Sequence, residues 1–86
     1  MTKRILKAAQ NRIRKYGWTQ HTIGDKTIGF CAAGAIYEGR AIYSNKYRAV
    51  DALEQLIDVE LTSWNDKPGR TKRQVLGLFQ RAINKL

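Results

Sequence analysis

The chain has 86 residues, with 16 Lys and Arg against 7 Asp and Glu, and a formal net charge of +9. This length suits one domain with a thin core, so we expect a single domain over residues 1–86 and exclude a separate catalytic domain. One cysteine, Cys31, and one histidine, His21, exclude an intrachain disulfide and a Cys/His zinc finger. No unbroken apolar run resembles a signal peptide or a membrane span, so we expect a soluble cytoplasmic protein without a metal or other cofactor.

The charge is distributed in three blocks along the chain. Residues 1–16 contain bases and no acid, residues 51–66 contain acids and no base, and residues 67–86 again contain bases and no acid. An excess of this size attracts polyanions, such as nucleic acid, or an acidic protein surface. The alternative is a solvated surface that is neutralised within the molecule, and charge alone does not separate the two interpretations.

The first predicted element is an amphipathic helix. Apolar residues recur at helical spacing over residues 3–16, and Gly17 ends the pattern. The following segment is rich in β-branched and turn residues and has no helical periodicity. Its Gly24-Asp25 pair lies between two Thr-Ile pairs, which is compatible with a short β-hairpin after the first helix.

Two further helices are predicted in the middle of the chain. Cys31 begins a run of small and then large apolar residues, which is typical of a buried helix packed closely against a neighbour, and Gly39 ends it. A third helix is predicted over residues 46–61, with Ser44 or Asn45 as its N-cap and its acidic side chains facing outward. With the helix at the end of the chain, these elements predict a mainly α fold of about four helices.

The segment before the last helix is the most informative stretch of the chain. Asn, Asp, Pro and Gly each favour turn geometry, so we predict a fixed turn over residues 65–69, with the Trp64 ring packed beneath it. Thr71 and Gln74 then form the signature of a capping box at the start of a helix over residues 71–85. Gly77 is predicted on the outer face of that helix. The turn is assigned to Trp64, Asn65, Asp66, Pro68 and Gly69.

Basic residues around this turn and in the first helix form the predicted binding site. Free N–H groups at a helix start, with cations around them, favour an anionic group. If the first and last helices pack side by side, their cations form one positive surface for nucleic acid or for an acidic protein. The residues predicted to contact phosphates are Lys3, Arg4, Lys7, Arg14, Lys67, Arg70, Lys72 and Arg73.

A thiol enzyme is the chemical alternative. Cys31, His21 and either Asn65 or Asp66 are the residue types of a nucleophile, its base and an orienting group. The apolar sequence around Cys31 instead favours a buried structural residue, and His21 has no second metal ligand at a suitable spacing. We therefore expect a protein that is not an enzyme.

Several segments of the chain resemble a known family. The similarity is to a family of small uncharacterised proteins from actinobacteria and bacteriophages, and it falls, in this order, at Gly17-Trp18, residues 30–36, residues 64–71, Val75 and Ala82-Ile83. Its members show Gly-Trp after the first helix, a Cys-Ala-x-Gly-Ala helix and a Trp-Asn-Asp turn before the last helix. The resemblance covers most of the chain and implies a compact helical fold and a phage or bacterial source, but no activity and no catalytic residue. This chain departs from the family in its basic character.

Two functions follow as hypotheses. The leading one is a small non-enzymatic accessory or regulatory protein, phage-encoded, that binds nucleic acid or a nucleoprotein complex through its basic terminal helices. The alternative is an inhibitor or adaptor that binds an acidic host or virion protein without nucleic acid.

Overall fold

The computed structural model describes all 86 residues, as five helices and one short hairpin. The predicted mainly helical fold with a hairpin after the first helix is confirmed, with five helices in place of about four. β1 pairs with β2 in antiparallel register, Gly24 opposite Phe30 and Asp25 opposite Gly29. The elements are α1 (Thr2–Tyr16), β1 (Gly24–Asp25), β2 (Gly29–Phe30), α2 (Ala32–Tyr37), α3 (Tyr43–Glu54), α4 (Leu61–Asn65) and α5 (Lys72–Lys85).

α1 lies at the centre of the packing and contacts α2, α3 and α5. Its apolar stripe meets the apolar faces of these helices because side chains at helical spacing share one face. The resulting core includes the fully buried side chains of Leu6, Ile13, Phe30, Leu53 and Phe79. None of the five helices has both the length and the apolar character that crossing a lipid bilayer requires.

α1 ends at Gly17, as predicted. Gly17 has a φ of 103°, which glycine adopts readily, and its N–H donates to the carbonyl of Ile13 at 2.9 Å. The chain then runs beside β2, since the N–H of Phe30 donates to the Gly17 carbonyl and the N–H of Thr19 donates to the Phe30 carbonyl. These bonds bring the segment that follows α1 into contact with the hairpin.

The hairpin turns later than the Gly24-Asp25 pair. These two residues form β1 itself, and the turn covers residues 26–28. The Asp25 carboxylate holds it by accepting the N–H groups of Thr27 at 2.8 Å and Ile28 at 3.0 Å. An Asp side chain that bonds its own downstream backbone stabilises a turn in this way.

α2 ends earlier than predicted. Glu38, rather than Gly39, is its C-cap residue. Gly39 instead makes room for the guanidinium of Arg12, because a Cβ at Gly39 would lie only 3.2 Å from Arg12 Nη2. Arg12 Nη1 donates to the carbonyl of Ala35 at 2.7 Å and so satisfies a carbonyl group at the end of α2.

The third helix, predicted over residues 46–61, is found as α3 over Tyr43–Glu54; residues 55–60 are not helical, and the short helix α4 at Leu61–Asn65 was not predicted. α3 follows Ile42 as its N-cap, so Ser44 and Asn45 lie inside its first turn and do not cap it. It ends at Glu54, which was predicted to face solvent. The Glu54 carboxylate instead accepts the N–H of Leu61 at 2.6 Å and thereby stabilises the start of α4. The apolar periodicity continues to Leu61, but residues 55–60 are not helical.

Candidate functional site

The Trp64-Asn65-Asp66 segment joins α4 to the turn before α5. Trp64 and Asn65 are the last two residues of α4, so the predicted turn begins one residue later, at Asp66. The N–H groups of Trp64 and Asp66 close helical hydrogen bonds, which is why the helix includes the first part of the motif. Gly69, at the end of the turn, has a φ of 87°, so the glycine suits this position as predicted.

Asn65 is fully buried, and its amide makes four hydrogen bonds. Its Oδ1 accepts the indole N–H of Trp18 at 2.7 Å and the backbone N–H of Ala32 at 3.0 Å. Its Nδ2 donates to the carbonyl of Thr19 at 3.1 Å and to Asp66 Oδ1 at 3.0 Å. Asn65 therefore ties the segment after α1 and the start of α2 to the end of α4, which is a structural role.

The loop after α1 is also fixed to the turn by Gln20 and His21. Gln20 Nε2 donates to the carbonyls of Asn65 at 3.0 Å and Lys67 at 3.1 Å. The N–H of His21 donates to Asp66 Oδ1 at 2.9 Å. This bond is the main reason why the pKa of Asp66 lies below its usual value; burial opposes the shift, while the Asn65 amide and the His21 charge support it.

Trp64 has the packing role that its position predicts. The guanidinium of Arg70 lies over the Trp64 ring, 3.8 Å from its centroid, and Arg70 Nε donates to the Trp64 carbonyl at 2.8 Å. Arg70 was predicted as a phosphate contact, but its guanidinium is held against α4 by a cation–π contact and a hydrogen bond. This geometry makes Arg70 first of all a residue that fixes the turn.

Cys31, His21 and Asp66 line one pocket of about 220 Å³. Cys31 is buried, and its Sγ accepts the N–H of Gly34 at 3.2 Å as the N-cap of α2. Burial raises the pKa of the Cys31 thiol, and the Asp66 charge adds to that effect, although hydrogen bonds from backbone N–H groups oppose it.

His21 is oriented only loosely in that pocket. Its side chain is 75% exposed, with Nδ1 3.9 Å from Asp66 Oδ2. A thiol nucleophile needs a lowered pKa and a hydrogen bond to its base, and Cys31 has neither. The geometry therefore favours the structural role of Cys31.

α1 and α5 pack side by side, and Gln10 joins them near their midpoints. Gln10 Nε2 donates to the carbonyl of Leu76 at 3.2 Å and to Gln80 Oε1 at 3.1 Å. Gln10 is buried, while Gln80 is exposed. The bond between them therefore lies at the edge of the contact between α1 and α5, where this contact borders solvent. We call this boundary the α1–α5 seam.

Four of the predicted phosphate contacts border the α1–α5 seam. An α-helix turns about 100° per residue, so Lys3, Lys7 and Arg14 fall within about 60° of Gln10 around α1. Arg73 falls within about 20° of Gln80 around α5 by the same geometry. All four side chains are exposed. We call Lys3, Lys7, Arg14 and Arg73 the seam cations.

The remaining predicted contacts lie away from the seam. Arg4 lines a cavity on another edge of α1. Lys67 is exposed in the turn, Lys72 is the first residue of α5, and Arg70 packs on Trp64. Only four of the eight predicted phosphate contacts therefore lie where the expected single positive surface of α1 and α5 would form. Sequence reasoning could not separate these groups because it did not have the direction in which α1 and α5 face each other.

None of the Lys and Arg side chains forms an ion pair, and the one close contact between groups of opposite charge joins His21 and Asp66. α1 and α5 contain no acidic residue. Neutralisation of the basic ends by the acidic middle segment, which was the alternative interpretation of the charge, is therefore not found at the level of side-chain contacts.

The start of α5 has the predicted capping box. Thr71 Oγ1 accepts the N–H of Gln74 at 3.2 Å, and Gln74 Oε1 accepts the N–H of Thr71 at 3.0 Å. The N–H groups of Lys72 and Arg73 have no intrahelical acceptor, as expected for the first turn of a helix. Positive potential at this end of α5 adds to that of the Arg73 side chain.

Comparison with known proteins gives one result. The model of a family of unknown function (DUF6197) matches residues 1–85, which is nearly the whole chain. No curated protein and no solved structure matches it. The match agrees with the resemblance to an uncharacterised family and brings no activity with it. The chain belongs to the DUF6197 family of unknown function.

Proposed function

We propose that this chain is a non-enzymatic, phage-encoded accessory protein that binds nucleic acid through the α1–α5 seam. One observation carries the proposal: two helices without a single carboxylate pack side by side and expose the seam cations along their junction. No seam cation is engaged in an ion pair, and the one side-chain hydrogen bond among them, from Arg14 Nη1 to Asn11 Oδ1 at 3.3 Å, leaves the Arg14 charge free to neutralise a phosphate.

The fold sets the distance between the three seam cations on α1 and Arg73 on α5. Packed helices have axes about 8–10 Å apart, so cations on facing edges of α1 and α5 approach a polyanion together. Gln80 and Asn84 lie on the same side of α5, and Gln80 Nε2 donates to Asn84 Oδ1 at 3.0 Å. Amide side chains of this kind contact phosphate and sugar in protein–DNA interfaces.

Such a surface is suited to the nucleic-acid backbone. Phosphate contacts fix the position of a protein on a duplex and carry no sequence information. Counterion release makes binding through these contacts strongly dependent on salt. We therefore expect affinity that falls steeply with salt concentration and varies little with base sequence.

The test is fluorescence anisotropy with a short labelled DNA duplex over a range of salt concentrations. Arg14→Ala with Arg73→Ala should make the plot of log affinity against log salt shallower by about 1.8, since each lost phosphate contact contributes about 0.9. The matched control is Arg48→Ala with Arg81→Ala, which removes the same charge from exposed positions on α3 and on α5, the latter about 100° around the helix from Gln80. Equal slopes in the two double variants, or binding that ignores salt, would refute the proposal.

The second candidate is an adaptor that binds an acidic host or virion protein. It is favoured by three apolar side chains at the start of α3, since Ile42, Tyr43 and Tyr47 are 67%, 69% and 61% exposed. Exposed apolar patches commonly mark protein interfaces. A partner captured from the host after nuclease treatment, and lost with Tyr43→Ser and Tyr47→Ser, would support this candidate over nucleic-acid binding.

A further inference from the structure

A cavity of about 350 Å³ lies on the far side of α1 from the seam. The α1 residues Ala8 and Arg12 in its wall are about 160° from Gln10 around the helix. It has an apolar floor and three arginines in its lining, and no acidic residue lines it. Pockets for small molecules range upward from about 300 Å³ and combine an apolar lining with a few polar groups. The floor is formed by Ile5, Ala8 and Ile36, and the arginines are Arg4, Arg12 and Arg40.

Arg12 is held in place before any ligand binds. Its side chain is half-buried, Nη1 donates to the Ala35 carbonyl at 2.7 Å, and the guanidinium lies against Gly39, where a side chain would crowd it. That hydrogen bond is the only one Arg12 makes, and no carboxylate pairs with it. A fixed planar guanidinium with free N–H donors is suited to bind an oxyanion through two parallel hydrogen bonds.

The charge of the cavity indicates which oxyanion fits. Three arginine side chains border the cavity without a carboxylate, and together they carry more positive charge than one carboxylate ligand balances. A phosphate monoester carries about −1.5 to −2 at neutral pH and offers three acceptor oxygens. The apolar floor favours a ligand that also presents an apolar or aromatic face.

We propose that this cavity binds a phosphate monoester that also carries an apolar or aromatic group, a class that includes nucleoside monophosphates. The phosphate lies among Arg4, Arg12 and Arg40, and the apolar body rests on the floor at Ala8. Two sources share this chemistry, a free nucleotide and the 5′-phosphorylated end of a nucleic-acid strand. The site is separate from the α1–α5 seam and does not depend on the function proposed for it.

Calorimetric titration of the full chain with phenyl phosphate, inorganic phosphate and phenol tests both halves of the site. Phenyl phosphate should bind at least about tenfold more tightly than either of the other two, because only it uses the arginines and the floor together. Arg40→Ala and Arg12→Ala should each weaken the binding of phenyl phosphate about tenfold or more, since each removes a charge-assisted contact.

Ala8→Phe is the sharpest variant because it fills the floor without changing the charge. Ala8 is only half-buried and borders the cavity, so a larger side chain enters open space and leaves the buried core intact. It should abolish the advantage of phenyl phosphate over inorganic phosphate. Arg48→Ala, which removes a cation from α3, should leave both affinities unchanged. If Arg12→Ala lowers stability through its lost bond to Ala35, Ala8→Phe and Arg40→Ala still decide the matter.

Two results would overturn the proposal: equal affinity for phenyl phosphate and inorganic phosphate, or unchanged binding of phenyl phosphate in Ala8→Phe. The same variant identifies the source of the ligand. A preference for a 5′-phosphorylated over a 5′-hydroxyl oligonucleotide that Ala8→Phe removes assigns the site to a strand end. Binding of adenosine monophosphate that Ala8→Phe removes, without such a preference, assigns it to a free nucleotide.

Discussion

At the scale of single residues, the amide of Asn65 is the contact on which the connection between α4 and the loop after α1 depends. Asp cannot replace it, since a carboxylate accepts hydrogen bonds but cannot donate one to the Thr19 carbonyl. It would also place a second negative charge beside Asp66, which accepts from Nδ2 in the structure. We therefore expect Asn65→Asp to lower the free energy of unfolding by about 3 kcal/mol or more.

Urea denaturation measures this loss, and the exposed Asn11 provides the control. Asn11→Asp makes the same chemical change on the surface of α1 and should alter the free energy of unfolding by less than about 0.5 kcal/mol. Equal stability of Asn65→Asp and the wild type would contradict the structural role of this amide.

The lowered pKa of Asp66 has a consequence for stability in acid. A carboxyl group whose pKa is lower in the folded state stabilises the fold above its unfolded pKa of about 3.9, and loses this contribution as pH falls through the folded value. Asp66→Asn removes the titration while keeping an acceptor for the His21 N–H. The difference in free energy of unfolding between wild type and Asp66→Asn should therefore be constant above about pH 5 and shrink below pH 4. A difference that does not change over this range would contradict the assignment.

The buried thiol of Cys31 should be slow to react. Burial raises its pKa and keeps reagents away, so alkylation needs local opening at the start of α2. If opening costs about 3 kcal/mol, iodoacetamide should react at least about 100-fold more slowly with the folded chain than with the chain in urea. Comparable rates in the two states would revive the thiol-enzyme hypothesis.

Residues whose partners are close in sequence were predictable, and those with distant partners were not. The Thr71–Gln74 capping box is a local pattern, and the structure has both of its bonds. The role of Asn65 depends on Trp18, Thr19 and Ala32, which are 47, 46 and 33 residues away. No local rule indicates which of several polar turn residues will be buried by such contacts.

At the scale of the elements, two glycines within helices lie in opposite environments, one closely packed and one open. Gly34 in α2 packs against the backbone of the preceding loop, and a Cβ there would overlap the carbonyl oxygen of Ile23. Gly77 in α5 has nothing within 4 Å of the corresponding position. The close packing expected of the small residues after Cys31 is thus present, although Gly34 meets a loop rather than a helix.

The same substitution should therefore have opposite effects at these two positions. Gly77→Ala should stabilise the protein by about 0.8–1.0 kcal/mol, because alanine has the higher helix propensity and the site is open. Gly34→Ala should destabilise it by about 2 kcal/mol or more, since backbone must move to admit the methyl group. Thermal unfolding of the two variants gives both values, and a change of the same sign in both would contradict this account of the packing.

The ends of the chain were more predictable than its middle. α1 and α5 are long amphipathic helices with clear boundary residues, so periodicity located them. Periodicity continues through residues 55–60, which separate α3 from α4, and it does not encode the bond from the Leu61 N–H to the Glu54 carboxylate that stabilises the start of α4. The same limit applies to the basic surface, where periodicity identified the cations but not the subset that borders the α1–α5 seam.

At the scale of the whole molecule, the charge distribution favours binding over stability. A net charge of +9 without any Lys or Arg ion pair produces self-repulsion that the folded state must tolerate. Repulsion should be greatest where cations from two helices are held along one boundary. Salt screens such interactions, so the melting temperature should rise as sodium chloride is added at low ionic strength.

The same repulsion predicts the sign of the stability change when seam cations are replaced. Arg14→Gln with Arg73→Gln should raise the free energy of unfolding at low salt by about 0.5 kcal/mol, or the melting temperature by about 2–4 °C, because it relieves repulsion between α1 and α5. The same pair should weaken binding to a duplex, so stability and affinity change in opposite directions. Arg48→Gln with Arg81→Gln should not raise stability, because Arg48 lies one helical turn before Asp51 on α3 and Arg81 lines the same cavity as Asp58. Scanning calorimetry at low and high salt separates the cases, since the gain from the seam variant should disappear when salt screens the charges. A gain in stability that persists at high salt would have to come from packing or helix propensity. It would contradict the interpretation of the seam as a surface whose positive charge serves to bind a polyanion.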